Sequence, residues 1–79
     1  MKAPLKVCVV IPCYNEEGVI TYTVEVLLKE LDSMAEVGLA SPDSYICCVD
    51  DGSRDGTWPE IGRLAATNKR VRGIKLSAN

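Results

Sequence analysis

Two short segments of this sequence concentrate side chains that can bind a polar ligand. They are "PCYNEE", residues 12–17, and "DDGSRDG", residues 50–56. Carboxylates accept strong, charge-assisted hydrogen bonds, and a nucleoside offers matching donors in its ring N–H groups and ribose hydroxyls. The Tyr14 ring can stack on a base. Carboxylates repel phosphates, and no glycine-rich phosphate motif follows the first segment, so the pair of segments favours nucleoside recognition.

A calcium-binding loop is the main chemical alternative for the second segment. Counted from Asp51, the segment matches the opening of an EF-hand loop. The matching residues are Asp51, Ser53, Asp55 and Gly56. The loop's final glutamate is replaced by Gly62, and the preceding residues are typical of a strand rather than a helix. Both departures argue against calcium.

Each of these residues also has a purely structural interpretation. Asp-Gly-Ser and Asp-Gly-Thr are common turn sequences. Asp50 would then accept hydrogen bonds from turn N–H groups, and Tyr14 would pack against its neighbours. Asp55 is expected to cap the following helix. Binding is favoured for the other residues because both segments fall at the same edge of the predicted sheet.

Three apolar runs predict the strands that position the two segments. They are Leu5–Ile11, Tyr45–Val49 and Gly73–Leu76. The first two are rich in Val, Ile and Cys without clean alternation, which is typical of strands buried on both faces of a parallel sheet. Pro12 is expected to end the first strand and to stiffen the turn beside it.

A long helix is predicted between the first two strands. From Glu16 to about Val37, apolar residues recur at helical spacing. Asn15 is the expected cap and Gly38 the expected end. The alternating, β-branched stretch 21–26 also fits a strand, but the longer helical period favours the helix.

A second helix is predicted between the second and third strands. Thr57 and Glu60 form a T-x-x-E pattern that indicates a capping box, with Pro59 in the first turn. The helix should end near Asn68. The resulting order is β-α-β-α-β, an α/β fold with a three-layer arrangement of a parallel sheet and helices.

The topology predicts where a ligand binds. In parallel α/β sheets, ligands bind outside the carboxyl ends of the strands. The two polar segments follow the first and second strands. Tyr14 is therefore expected close to Asp50 and Asp51.

Composition and charge narrow the function classes. The chain has 79 residues, 47% hydrophobic and 25% charged, which is ordinary for one small globular domain. A net charge of -2 gives no case for nucleic-acid binding. The charge is uneven, since residues 61–79 carry five bases and no acid. That basic end fits either phosphate contacts or a solvated helix and strand edge.

The cysteines give no metal signature. They are Cys8, Cys13, Cys47 and Cys48, without a CxxC pair and without any histidine in the chain. Most of them lie in apolar runs, where a free cysteine behaves as a small buried hydrophobe. A reduced, cytoplasmic protein is expected rather than a disulfide scaffold.

The motifs taken together resemble a known family. "VVIPCYNEE", followed about thirty residues later by "CVDDGSRDGTW", resembles the start of family 2 glycosyltransferases. These are inverting enzymes of the GT-A fold, whose Rossmann-like first half binds a nucleotide-sugar donor. The nearest likeness is to the branch of dolichol-phosphate mannosyltransferase and bacterial undecaprenyl-phosphate sugar transferases. The closing "IKLSAN" resembles the family's third strand.

The resemblance assigns nucleotide-sugar binding to five residues. Pro12 and Tyr14 would line the base and ribose pocket, and Glu16 would contact the nucleotide. Val49 would contact the base through its backbone. Asp51 would bond the base or the ribose.

The resemblance also sets expectations for the whole enzyme. It implies a hexosyltransferase that uses a UDP- or GDP-sugar, with a polyprenyl phosphate as acceptor, at the cytoplasmic face of a membrane. The family binds Mg²⁺ or Mn²⁺ through a later D-x-D-type motif. The only acids after Asp51 are Asp55 and Glu60, so the metal ligands and the catalytic base are expected outside this chain.

Residues 1–79 are therefore expected to be a single, truncated nucleotide-sugar-binding domain that is inactive alone. The rest of the enzyme, or a second copy, is the expected protein partner. The alternative is a non-catalytic nucleotide-binding or structural α/β module that works with a partner chain.

Overall fold

The computed structural model of the protein describes residues 4–76. Along the chain, the elements are β1 (Cys8–Cys13), α1 (Ile20–Glu36), β2 (Tyr45–Asp50), α2 (Thr57–Thr67) and β3 (Val71–Lys75). The strands form one parallel sheet in the order β1-β2-β3. The α/β class and the β-α-β-α-β order predicted from the sequence are confirmed. Residues 77–79 of the "IKLSAN" likeness lie outside the described residues.

Both helices cover the same face of the sheet. The helices α1 and α2 contact each other, and both pack on β2. Parallel crossovers are right-handed, so strands added successively in one direction leave both helices on one side. Residues 4–76 therefore form two layers. The third layer of the predicted arrangement has no counterpart among them.

The core lies between that face and the helices. Its fully buried members are Cys13, Ile20, Val24, Leu31, Ile46, Cys48, Ile61 and Val71. Gly73 allows α2 to approach β3 closely, because a Cβ at this position would lie 2.6 Å from Cγ2 of Ile61. Burying such aliphatic side chains contributes about 1.5–3 kcal/mol each. The helix face of the sheet thus supplies most of the packing energy.

The opposite face of the sheet is open in the described part of the chain. Strand alternation places Val10 and Pro12 of β1, and Ile74 of β3, on this open face. Val10 is 61% exposed and Ile74 is 48% exposed. Only the central strand β2 approaches burial on both faces, so the prediction of two-sided burial was wrong for β1.

Strand β1 begins at Cys8 rather than Leu5 and ends at Cys13 rather than Ile11, so Pro12 lies inside it. Pro12 pairs with Val49 in the parallel register. The Val7 carbonyl accepts from Tyr45 N at 2.9 Å, and the Cys13 carbonyl accepts from Asp51 N, just after β2, at 3.2 Å. Odd-numbered residues therefore face β2, and the nitrogen of Pro12 faces away from the ladder. A proline at such an edge position removes no ladder hydrogen bond, so it does not end the strand.

Helix α1 begins later than predicted, at Ile20. Asn15 adopts a left-handed conformation, φ 51°, so it turns the chain and does not cap the helix. Residues 16–19 form a turn in which the Glu16 carbonyl accepts from Val19 N at 2.9 Å. Val19 precedes the helix without a side-chain cap. The helical interpretation of residues 21–26 is confirmed.

Gly38 ends α1 as predicted. Its φ is 78°, in the left-handed region that favours glycine. Gly38 N donates to the Ala35 carbonyl at 3.1 Å, and Leu39 N donates to the Met34 carbonyl at 2.9 Å. These two bonds form a Schellman motif, which satisfies carbonyls at the helix end.

Strand β3 begins and ends earlier in the sequence than predicted. It spans Val71–Lys75 rather than 73–76. Arg72 interrupts the apolar run in the sequence, but its side chain lies on the open face, where a charged group is solvated. The ladder with β2 therefore continues through it.

Candidate functional site

The sheet register brings the two polar segments to one edge. Cys13 pairs with Asp50 across β1 and β2, so the chain leaves both strands at the same level. Asp51 N donates to the Cys13 carbonyl at 3.2 Å. Tyr14 and Asp51 therefore follow paired positions, as predicted. We refer to residues 14–19 and 51–56 as the carboxyl-edge loops.

The first contact between the carboxyl-edge loops is a reciprocal pair of hydrogen bonds. Asn15 N donates to Ser53 Oγ at 2.9 Å. Arg54 N donates back to Asn15 Oδ1 at 2.9 Å. Each loop thus satisfies a backbone N–H of the other. The left-handed backbone of Asn15 lets its side chain turn toward Arg54, which explains the role of this asparagine.

A second reciprocal pair follows two residues further along. Glu17 N donates to Asp55 Oδ2 at 3.3 Å, and Gly56 N donates to Glu17 Oε1 at 2.8 Å. A Cβ at Gly56 would lie 2.7 Å from Glu17 Oε2, so a larger residue there would displace the Glu17 carboxylate that accepts this bond. The two pairs together align the loops side by side, much as a parallel ladder aligns two strands.

Asp55 also caps the start of α2, as predicted. Its Oδ1 accepts from Thr57 N at 3.0 Å and from the Thr57 hydroxyl. The bond from the Thr57 hydroxyl, followed by the backbone bonds, holds the pKa of Asp55 below its usual value. The carboxylate therefore stays charged at neutral pH and favours the positive helix end.

The predicted capping box was wrong. Gly56 is the residue before α2, and neither the Thr57 nor the Glu60 side chain bonds to the other's backbone N–H: Glu60 N donates to the Gly56 carbonyl, and Thr57 N donates to Asp55. Thr57 Oγ1 instead accepts from Glu16 N at 2.7 Å. Glu60 accepts from Gly18 N at 3.0 Å, and from Thr21 N and the Thr21 hydroxyl at 3.1 and 2.5 Å. Both side chains thus satisfy N–H groups at the start of α1.

Glu60 is a buried acceptor that joins the two helices. The residue is only 5% exposed. The hydrogen bond from the Thr21 hydroxyl holds its pKa below the usual value, although burial opposes this shift. A buried carboxylate with three donors is stabilised as the anion. Glu60 therefore compensates for the cap that α1 lacks at its own start.

Asp50 has the turn-forming role that the structural interpretation predicted. It is completely buried, and its Oδ1 accepts from Ser53 N at 3.2 Å. Its Oδ2 is buried and has no hydrogen-bond partner within residues 4–76. Oδ1 thus fixes the second loop, while Oδ2 accepts no hydrogen bond from the described residues.

The five residues assigned to nucleotide binding fall into two groups. Tyr14, Glu16 and Asp51 lie in the carboxyl-edge loops, and their side chains make no hydrogen bond to the rest of the described chain. Tyr14 is 55% exposed. Pro12 and Val49 lie side by side at the carboxyl end of the open face. The loops thus present two unused carboxylates and an aromatic ring beside a small apolar surface.

Sequence reasoning missed the residues that hold the loops together. Asn15, Glu17, Ser53, Thr57 and Glu60 satisfy backbone donors of the opposite loop. The only signal is their matched spacing: Asn15 and Glu17 are two apart, and so are Ser53 and Asp55. That match has meaning only once the register of β1 and β2 is known.

No metal centre is found in the part of the chain that the structure describes. Residues 4–76 contain no group of three carboxylate or thiol side chains able to hold a metal ion. All four cysteines are free. Burial raises the pKa of Cys13, and it raises the pKa of Cys48 to about 12.

Within residues 4–76, no helix combines the length and apolar character needed to cross a membrane.

Comparison with known proteins gives two findings. The family model "Glycosyl transferase family 2" matches residues 8–79. A protein of Bacillus subtilis (strain 168), "Uncharacterized glycosyltransferase YkoT", is 44% identical over 71 residues, which are 90% of this chain and 21% of that protein. The chain thus spans about a fifth of the length of this curated relative.

Proposed function

Since this chain belongs to glycosyltransferase family 2, we propose that its carboxyl-edge loops bind the nucleoside of a nucleotide-sugar donor. The observation that carries this proposal is the pair of unused carboxylates, Glu16 and Asp51, beside the exposed ring of Tyr14. All other acidic side chains of the two loops are engaged in holding the loops together. The unused groups are therefore available for a ligand on a fixed framework.

The chemistry of this edge suits a base and a ribose. Asp51 accepts hydrogen bonds from a ring N–H or from ribose hydroxyls, and bonds of this kind to a charged acceptor are short and strong. Tyr14 stacks on the base. Pro12 and Val49 form the apolar surface against which the nucleoside packs, and Glu16 contacts the nucleotide. Because the loops are already joined, little ordering entropy is lost on binding.

The donor is proposed to be a UDP- or GDP-sugar, and the complete protein is proposed to transfer its hexosyl group with inversion. A polyprenyl phosphate at the cytoplasmic face of a membrane is the proposed acceptor, by likeness to that branch of the family. Mg²⁺ or Mn²⁺ would neutralise the leaving diphosphate. By the same likeness, its ligands would come from a later D-x-D-type motif outside residues 4–76. The 79 residues alone would then bind donor without turnover.

The test is an NMR titration of the isotope-labelled chain with UDP and, separately, with GDP. We expect amide shifts at residues 12–16 and 49–52. Asp51→Asn should weaken binding about tenfold or more, since it removes a charged acceptor. Glu30→Gln, which removes an exposed carboxylate from α1 away from both ends of the sheet, is the matched control and should bind as the parent does. A folded spectrum that moves with neither nucleotide would refute the proposal.

The open face of the sheet favours a second candidate function. Val10, Ile74 and Leu76 are exposed large apolar residues, at 61, 48 and 48%. Such a surface is typical of a module that works against a partner chain or a second copy. This candidate predicts association detectable by sedimentation, together with indifference to both nucleotides.

A further inference from the structure

A surface cavity lies at the opposite end of the sheet from the carboxyl-edge loops. Its volume is about 360 Å³. It lies where β2 and β3 begin, and Tyr45, Arg70 and Arg72 line it together with Lys6 and Lys69. We refer to it as the amino-edge cavity. The proposed nucleoside site uses none of these residues.

The cavity is strongly positive. Four of its lining residues are cations, and its only carboxylate is that of Asp43. Asp43 contacts Lys6 at 3.4 Å. Lys69 and Arg72 have no carboxylate partner within residues 4–76. Clustered cations of one sign favour a ligand with more than one negative charge.

Arg70 forms a fixed part of the cavity wall. Its Nε donates to the Ser44 carbonyl at 2.9 Å, and its Nη1 contacts Asp32 Oδ1 at 2.8 Å. Its Nη2 is buried without a hydrogen-bond partner among the described residues. This guanidinium is therefore held in place by Ser44 and Asp32, with one of its nitrogens left without a partner among the described residues.

Arg72 lies over an aromatic ring at the cavity. The guanidinium carbon is 3.9 Å from the centroid of the Tyr45 ring, and Lys6 Nζ is 5.7 Å from the same ring. Stacking orients a guanidinium through its flat face and leaves its in-plane N–H groups for other acceptors. Those N–H groups have the fork geometry that matches phosphate oxygens.

We propose that the amino-edge cavity binds a phosphate group. Arg72 supplies oriented donors, Lys69 and Lys6 supply point charges, and Arg70 supplies a fixed positive wall. The phosphate could be carried by a small soluble ester or by a phospholipid headgroup, since both present the same chemistry. This site is independent of the nucleoside site, so failure of one leaves the other standing.

The test uses inorganic pyrophosphate as the probe, in an NMR titration of the 79-residue chain at 150 mM salt. Amide shifts are expected at Tyr45 and at residues 69–72. Arg72→Gln should weaken binding about tenfold. Arg63→Gln removes an equally exposed charge from α2, outside the cavity, and should change binding less than twofold. Equal weakening by both variants would show non-specific charge attraction and overturn the proposal, as would the absence of shifts.

A second arm distinguishes the two sources of phosphate. The chain is sedimented with vesicles of phosphatidylcholine, with and without phosphatidylglycerol. Co-sedimentation only with the anionic vesicles, lost in Arg72→Gln, identifies a lipid headgroup. A chain that stays in the supernatant but binds pyrophosphate identifies a soluble phosphate ester. Either result supports the cavity as a phosphate site.

Discussion

The two ends of this parallel sheet are built in opposite ways. At the carboxyl edge, short acidic and hydroxyl side chains accept hydrogen bonds from backbone N–H groups of the neighbouring loop. At the amino edge, long cationic side chains lie over an aromatic ring around a cavity. The first construction fixes the backbone of two loops through several bonds, whereas the described side chains that line the cavity make one bond to the backbone, from Arg70 Nε to the Ser44 carbonyl. The carboxyl edge should therefore contribute most to stability, and the amino edge should respond most to salt.

Among the substitutions that test this comparison, replacement of Glu60 should cause the largest loss of stability. Glu60→Gln replaces one acceptor oxygen with an NH₂ group that faces backbone donors, so buried N–H groups lose their partner. We expect the free energy of unfolding to fall by about 3 kcal/mol, as measured by urea denaturation. Glu25→Gln, on the exposed side of α1, is the matched control and should change it by less than about 0.5 kcal/mol. Equal effects of the two variants would show that the carboxyl edge is not a stabilising element.

A smaller effect is expected at Asn15, where the backbone conformation and the side chain both matter. Asn15→Ala loses the acceptor for Arg54 N and places alanine at a positive φ, which together should cost about 2 kcal/mol in the free energy of unfolding. Asn15→Gly loses the same acceptor without the backbone strain, so it should cost less. If glycine proves as harmful as alanine, the hydrogen bond rather than the left-handed turn dominates at this position.

Mild acid should have the smallest effect, and its sign follows from the pKa shifts. The pKa values of Asp55 and Glu60 are lower in the folded protein than their usual values of 3.8 and 4.5. The unfolded chain therefore takes up protons first as the pH falls, and stability begins to decrease below about pH 5. Between pH 7 and pH 4, only the first part of this loss of stability occurs. The exposed Asp43, whose pKa is also lowered, adds to it.

Circular dichroism with urea at several pH values measures this loss. The decrease should be shallower in Glu60→Gln, because one of the shifted carboxylates is absent. A parent protein that gains stability on acidification would contradict the assignment of these carboxylates as charged acceptors.

The elements of the fold were predictable because their signals are local. Apolar runs and helical spacing predicted the order of elements, and Gly38 marked the end of α1. The errors occurred where distant residues decide the outcome. Pro12 stays inside β1 because that strand is at the edge of the sheet, and the T-x-x-E pattern fails because Thr57 and Glu60 bind residues about forty positions earlier.

Contacts between distant residues also limit how much of the candidate site is predictable from the sequence. The predicted order of elements implied that the two acidic segments meet at one edge of the sheet, and the register confirms this meeting. Their division into framework and unused groups was not predictable, because Glu16 and Glu17 are neighbours of the same type. Only the sheet register shows that Glu17 bonds to Gly56 while the carboxylate of Glu16 makes no such bond.

The long reach of the cross-loop hydrogen bonds has a consequence for the order of folding. The bonded residues are 38 to 42 positions apart in the chain. Such bonds form only after β1 and β2 have paired across α1, since closing long loops is entropically costly until the sheet exists. The carboxyl edge should therefore assemble after the folding transition state. We therefore expect substitutions at the carboxyl edge to accelerate unfolding while leaving the folding rate nearly unchanged.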